Sequence, residues 1–444
     1  MNTKKNVGLV LVFLYLIFSI GTTVYAVNNS SKFPILYPMS QSGKWGFIDN
    51  SGKVVIKPQY DQVKQFSEGL AWVSVNSKTD FQTRWYLIDS TGRKILSDLL
   101  LVGASNFKNG LCSIITRSND FGKNNRVFID KAGKVIAKYD NTKCGMFSEG
   151  LLAMTTSTDE SGSYLYSRGN WGYLNSSNAK VITPSYLYAS DFSEGLACIE
   201  TEGGMGYIDK KGTIVIKPQF DYAGDFHEGY AVVGEGSNNN IGFVESGLLE
   251  SDYYFSTNIM RREELLGQTM IEPFDLVTIS KYGAKLGFID KSGNNVIKPQ
   301  FDSVKYFSNG LACVKKDKWG YLNSTGKMIT DFKYDNARSF SEGLAAINAP
   351  DDFGINKWGF IDKTGEITIP LKYEDVRDFH EGLAAFNDKG LWGFIDTKGN
   401  VVIKPLYSKV DDFSSGIAYV MMYRNYKYDT CYINKTGKKV WTSY

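Results

Sequence analysis

Histidine is almost missing from this chain. Its 444 residues include two, His227 and His380. Both replace a serine in a recurring turn, Phe226-His227-Glu228-Gly229 and Phe379-His380-Glu381-Gly382, so they are variants of a pattern and not a pair built for chemistry. That leaves little room for histidine metal ligands or a histidine-activated nucleophile. No Gly-x-Ser-x-Gly elbow, Cys-x-x-Cys pair or phosphate-cradling glycine loop is present either. The adjacent carboxylates Asp351-Asp352, Asp411-Asp412 and Glu263-Glu264 carry no spacing information, whereas glycosidase chemistry needs two at a set separation across a cleft. The expectation is a chain that is not an enzyme, with no catalytic residues, no metal site and no cofactor.

An excess of one charge is missing as well. Lysine and arginine number 50 against 47 acids, a net charge of +3. That is too little to attract nucleic acid or an anionic membrane. Cysteine is scarce and odd in number, at five, so at least one is unpaired. Cys112, Cys144, Cys198 and Cys313 stand where other copies of the repeat described below have small or apolar residues. Cys431 replaces a repeated glycine. They read as buried thiols and not as a disulfide framework.

Long apolar runs are missing except at the start. Lys4 and Lys5 precede an apolar stretch from Val7 to Ile20, and Val24-Tyr25-Ala26 follows with small residues. This is the pattern of a secretory signal peptide over residues 1–26, too short to span a bilayer comfortably. The implied location is extracytoplasmic, secreted or associated with the cell surface, with membrane attachment only if the segment is retained. No cysteine follows for lipid attachment, and no Leu-Pro-x-Thr-Gly stands near Tyr444. Residues 27–40 read as a polar linker containing Pro34 and Pro38.

What is there is repetition. One copy runs Trp45-Gly46-Phe47-Ile48-Asp49, then Val54-Val55-Ile56-Lys57-Pro58, then Phe66-Ser67-Glu68-Gly69-Leu70-Ala71. The Trp45 position recurs at Trp85, Arg126, Trp171, Met205, Ile241, Leu286, Trp319, Trp358, Trp392 and Thr430. Spacings run from 33 residues (Leu286 to Trp319) to 45 (Arg126 to Trp171). A period of this size marks a solenoid, propeller or array. The Trp-Gly pairs at 45–46, 171–172, 319–320, 358–359 and 392–393, with the Phe-x-Glu-Gly-Leu-Ala segments, make the chain resemble the bacterial WG-repeat (KWG-repeat) proteins over residues 41–444. The resemblance implies repetitive β modules used for recognition, often exported, and it brings no catalytic residues.

Each copy offers three short strands rich in β-branched and aromatic residues. The first two are joined by Asp-x-x-Gly, whose Asp accepts from turn amides while Gly supplies positive φ. One carboxylate per turn, sometimes replaced by Asn175, Asn323 or Asn434, is too few oxygens for calcium. Proline closes the second strand segment at Pro58, Pro184, Pro218, Pro273, Pro299, Pro370 and Pro405, each marking an edge position, a bulge or the strand's end, and blunts pairing on one side. The recurring Phe at 66, 107, 147, 192, 226, 307, 340, 379 and 413 reads as a core plug. The row Glu68, Glu149, Glu194, Glu228, Glu342 and Glu381 reads as a solvated turn residue, with a ligand ladder as the alternative.

The fold class is therefore all-β: about ten units of three antiparallel strands. Ten exceeds the four to eight blades of a typical propeller, which favours an open solenoid-like array, with one large or two smaller propellers as the alternative. A lone leading strand at Ile35-Leu36-Tyr37 suits ring closure and keeps that alternative in play. Regular repeats span 41–236 and 286–444. Residues 237–285 read as a degraded copy with an insertion at about 248–268, including a short helix candidate from Met260 to Leu266. Insertions in repeat proteins map to one face, often the binding face. Tyr253, Tyr254, Phe255, Arg261 and Arg262 are accordingly the tentative binding residues. The function expected is an exported, non-catalytic binding module for a protein or peptide partner, with a glycan or cell-wall polymer as the alternative.

Overall fold

The computed structural model describes residues 33–444, apart from 78, 80–81, 118–123, 141–143, 157–168, 236–243, 247–277, 281–284, 425 and 444. The described residues contain no helix and are organised into ten small antiparallel sheets. Residues 37–60 make the first sheet, 62–99 the second, 101–140 the third, 144–186 the fourth and 188–220 the fifth. The sixth combines 222–235 with 285–301, and the seventh, eighth, ninth and tenth are centred on 303–334, 336–373, 375–407 and 409–442. These are the blades of a ten-bladed propeller.

A blade is out of phase with the sequence unit. In the second blade, Leu70–Asn76 is the third strand of one copy, while Thr83–Asp89 and Lys94–Leu99 are the first two strands of the next. A fourth strand of two residues, Gln62–Val63, pairs with Ser74 and Val73. Two residues show no alternation, so this strand leaves no mark in the sequence. The first blade lacks it: Tyr37–Gln41 is an edge there. Pro38 on that edge has no N–H to offer a further strand, and its carbonyl accepts the Tyr432 hydroxyl.

The Trp-Gly pair has a packing explanation. Trp45 pairs with Tyr60, yet Phe47 pairs with Ile56, so the partner strand carries two extra residues opposite Gly46. This bulge at Lys57-Pro58 presses the backbone inward. A Cβ on Gly46 would sit 2.4 Å from the Ile56 carbonyl oxygen and 2.7 Å from the Pro58 nitrogen. The same clash awaits a Cβ at Gly172, Gly206, Gly287, Gly359 and Gly393. In the third and tenth blades no such excess faces this position, since Phe128 pairs with Ala137 and Arg126 with Tyr139, and Cys431 pairs with Thr442 and Tyr432 with Trp441. There the residue is Val127 or Cys431. The glycine is needed only where the neighbouring strand bulges.

Blades stack face to face through apolar residues. Phe47 and Ile56 of the first blade pack with Val63, Ala71, Val73 and Ile88 of the second, and this scheme repeats around the molecule. The turn Phe meets an aromatic of the preceding blade edge-on or tilted: Phe66 on Phe47, Phe226 on Tyr207, Phe340 on Tyr321, Phe379 on Phe360, Phe413 on Phe394. Phe66 and Phe147 are half-buried, and the other seven recurring Phe rings are buried.

The open array expected from the blade count is corrected by the junction of the last blade with the first. Tyr37, Met39 and Ile48 share a core with Ile417 and Tyr432, flanked by Tyr419, Val440 and Trp441. The Tyr37 hydroxyl donates to the Ser414 carbonyl at 2.7 Å and that of Tyr432 to the Pro38 carbonyl at 2.8 Å. Gly52 abuts Val440 as Gly92 abuts Ile56 in the preceding blade. The tenth blade is thus to the first what the first is to the second, and the ring closes. Here small side chains such as Ala345, Ala384 and Ala418 let blades approach closely, so ten fit at a small angle each.

The stretch 237–285 has a different place from its neighbours. Tyr230–Glu235 pairs directly with Lys285–Asp290 within the sixth blade. Val244–Ser246 pairs with Thr278–Ser280, and Ile279 pairs with Val304, so both short strands extend the edge of the seventh blade. The helix candidate at Met260 to Leu266 lies outside the described residues.

Candidate functional site: the two faces of the ring

One face carries both fixed-length turns. In Asp49-Asn50-Ser51-Gly52 the Oδ1 of Asp49 accepts from the amides of Ser51 and Lys53 at 2.9 and 3.1 Å, and Gly52 has φ +86°. The same pair of bonds recurs at Asp209, Asp290, Asp362 and Asp396, and at Asn175 and Asn323. At Asp89, burial pushes the carboxyl up, but the Thr91 hydroxyl, the Arg93 guanidinium and the turn amides outweigh it and hold it down at about 2.

The second turn on this face holds its Glu in a costly conformation. Glu68, Glu149, Glu194, Glu228, Glu342 and Glu381 all have φ near +50°, a region costing a non-glycine residue about 1–2 kcal/mol. Each carboxylate reaches the next blade. Glu68 accepts from the Gly110 amide, Glu149 from Gly195 and Glu194 from Gly229. Glu228 accepts from Asn309 and Gly310, Glu342 from Glu381 and Gly382, and Glu381 from Ser415 and Gly416. Lys131, Lys210, Lys291 and Lys435 add ion pairs to Glu68, Glu149, Glu194 and Glu381 at 2.7–3.1 Å. Burial raises these four carboxyls, and the lysines and amides more than offset it, so all four lie below the usual range. Glu194, Glu228, Glu342 and Glu381 are exposed turn residues, as the solvated-turn reading expected, and Glu68 and Glu149 are half-buried, yet the row does more than face solvent. It staples blade to blade.

The row breaks at Asn109, Asn309 and Ser415, and Asn309 still reaches the next blade by accepting from the Gly343 amide. Ser415 replaces Glu in the tenth blade, and the first blade beyond it has no such turn to receive a carboxylate. This face is committed to structure.

The opposite face is made of the hairpins between the two central strands of each blade. Their lengths vary freely. Thr201 and Gly204 are joined by two residues, Asp388 and Leu391 likewise, and Pro350 and Asn356 by five. Longer connections leave Thr155 for Trp171 and Glu235 for Lys285. The tentative binding residues Tyr253, Tyr254, Phe255, Arg261 and Arg262 belong to that last connection and lie outside the described residues.

The strongly exposed aromatic side chains also gather here. Phe353 is 88% exposed at the tip of the eighth blade's hairpin, where Asp351 fixes the turn by accepting from the amides of Phe353 and Ile355. Tyr426 is 93% exposed at the tip of the tenth, with Tyr423 and Tyr428 below it, their rings tilted and 4.8 Å apart between centroids. Sequence reasoning passed over these residues because Phe353 and Tyr426 fall between repeat positions. Their signal was an aromatic where the pattern demands none.

Several other ionisable groups are engaged in packing or ion pairs. His227 is half-buried beside Tyr306, with ring centroids 4.0 Å apart, and desolvation lowers its pKa. Arg338 approaches Asp375 and Asp378 of the ninth blade, and Arg377 and His380 approach Asp412 of the tenth. All five cysteines are buried and none is in a disulfide, and burial pushes the Cys313 thiol up to about 12. Among the described residues no cluster of His, Cys, Asp or Glu is arranged to hold a metal.

A family model described as WG containing repeat matches residues 45–78, 171–204, 205–238, 287–318, 319–348, 358–392 and 392–428. No curated protein matches the chain. Among solved structures it is similar to a eukaryotic initiation factor, at 11% identity and a TM-score of 0.47 over 84% of this chain and 95% of that one. It is also similar to the β-propeller domain of the trilobed protease from Pyrococcus furiosus, at 10% identity and a TM-score of 0.28 over 78% and 100%. A third similarity is to prolyl endopeptidases, at 10% identity and a TM-score of 0.33 over 91% and 55%.

Proposed function

Because the chain belongs to the WG-repeat family, we propose that it is an exported, non-catalytic binding protein that recognises a protein partner through the hairpin face of its ring. The observation that carries this reading is the contrast between the faces. One is held at fixed length by carboxylate staples. The other tolerates loops of many lengths and exposes aromatic rings. A rigid β framework displaying variable, Tyr-bearing loops is how recognition surfaces are commonly built. Export is supported by Lys4-Lys5 followed by the apolar stretch Val7–Ile20. A non-catalytic role is supported by the engagement of His227 and His380 in packing and ion pairs.

Tyr253, Tyr254, Phe255, Arg261 and Arg262 are separated from the hairpin ends at Glu235 and Lys285 by the paired strands Val244–Ser246 and Thr278–Ser280, so their part in the surface is proposed from the insertion in the sequence alone. A glycan or cell-wall partner is the second reading, favoured by the exposed tyrosines. Retention of the pure protein on purified cell wall, set against capture of a defined protein from extract, separates the two. Deleting residues 248–268 is expected to weaken capture while circular dichroism stays β-rich. Hydrolysis of a wall polymer or peptide by the pure protein would refute the non-catalytic reading.

A further inference from the structure

The hairpin of the tenth blade stands out from its neighbours. Counted from equivalent starting pairs, it runs from Ile417↔Asn434 to Arg424↔Lys427, whereas the ninth blade's runs from Leu383↔Asp396 to Asp388↔Leu391 and the first blade's ends at Gln41↔Lys44. At about 3.3 Å per residue it projects roughly 7 Å beyond the ninth. Its two sides differ. Val420, Met422 and Cys431 pack toward the ninth blade, and Tyr419 and Tyr432 toward the first. By strand alternation Arg424 and Lys427 continue the first side, and Tyr423 and Tyr428 the second. Tyr426 at the tip has φ +61°, a conformation in which a bulky residue is an outlier. The ninth blade's equivalent turn has glycine at that place, Gly390 at φ +78°. A strained backbone presenting a fully exposed ring points to function more than to folding.

We propose that this hairpin is a recognition finger for an acidic polypeptide segment, one in which an apolar side chain lies between carboxylates. This rests on the protein-binding reading given above. Tyr426, Tyr423 and Tyr428 supply large, rigid, amphipathic contact area at low entropic cost. Arg424 and Lys427, on the side of the finger opposite Tyr423 and Tyr428, supply positive charge flanking Tyr426 at the tip, with Lys389 on the adjacent hairpin. Three cations diluted by Asp388 and Asp429 are too few to hold a polyanion by charge alone. The rings therefore carry the affinity and the cations select for acidic neighbours.

The full chain, immobilised, is panned against a random dodecapeptide display library, and enriched peptides are synthesised and titrated. Enrichment of Asp and Glu flanking Leu, Phe or Trp is expected. Tyr426→Gly is expected to weaken binding at least tenfold while leaving Tm unchanged or higher, since glycine relieves the positive φ. The double variant R424E/K427E is expected to shift enrichment toward Lys and Arg. Enriched peptides that bind Tyr426→Gly as well as the parent would overturn the finger but leave protein recognition standing. No enriched peptide, together with wall oligosaccharides that bind the parent and not Tyr426→Gly, would overturn both. A chain that binds neither probe also refutes the finger.

Discussion

At the scale of single residues, the repeat positions differ sharply in what they tolerate. Gly359 faces the Ile369 carbonyl, 2.5 Å from where a Cβ would stand. Gly359→Ala is expected to cost about 1–3 kcal/mol as an overpacked site, read as a lower urea midpoint. Asp362 uses one oxygen on two turn amides. Asp362→Asn is expected to be nearly neutral, because Asn175 and Asn323 already make the same bonds. Asp362→Ala is expected to cost about 1 kcal/mol, as loss of a helix cap does. Equal losses for Asn and Ala would contradict this account of the turn. Phe340→Ala, at 1% exposure, is expected to cost about 3–5 kcal/mol. The turn chemistry was legible in the sequence because its geometry is local. The reason for glycine after tryptophan was not, since it lies in a bulge on another strand.

At the scale of the element, the Glu turn is an electrostatic joint between blades, and acid should loosen it. Glu68, Glu149, Glu194 and Glu381, and the turn carboxyls such as Asp89, titrate lower in the fold than the unfolded values of about 4.3 for Glu and 3.9 for Asp. Groups with depressed pKa stabilise fully above those unfolded values and lose that contribution as pH falls through the folded ones, which reach about 2 at Asp89. Asp411 runs the other way. Burial raises it, so its contribution is present below about 3.9 and fades as pH rises through its folded value. The staples outnumber it. The urea midpoint is expected to fall between pH 5 and pH 2, and Glu381→Gln to flatten that fall. A midpoint independent of pH across this range would remove the staples from the account of stability. The Glu row itself was visible in the sequence. Its partners were not, because Gly110 lies 42 residues from Glu68 and belongs to another blade.

At the scale of the molecule, closure makes the seam between the tenth and first blades a distinct joint. It relies on side-chain packing and two tyrosine hydroxyls, with no Glu staple among the described residues such as those that join the second blade to the third or the ninth to the tenth. Repeat proteins lose stability locally, at the weakest interface. Tyr432→Ala is expected to raise amide exchange first in blades one and ten while the fifth blade stays protected. Uniform acceleration around the ring would show that the seam is no weaker than any other interface. Small-angle scattering is expected to give the compact dimensions of a ring, with no elongated particle.

The sequence by itself determined the repeat, the all-β class, the turn geometry and the apolar identity of the plugs, because each depends on residues a few positions apart. Only the tertiary structure decided that ten units close. Closure depends on the small angle between stacked blades, which accumulates around the whole ring and is written in no single copy. The same is true of the hairpin face. Exposed Tyr426 and Phe353 gain meaning only once the opposite face is seen to be consumed by staples, and that contrast exists only when the blades stand side by side.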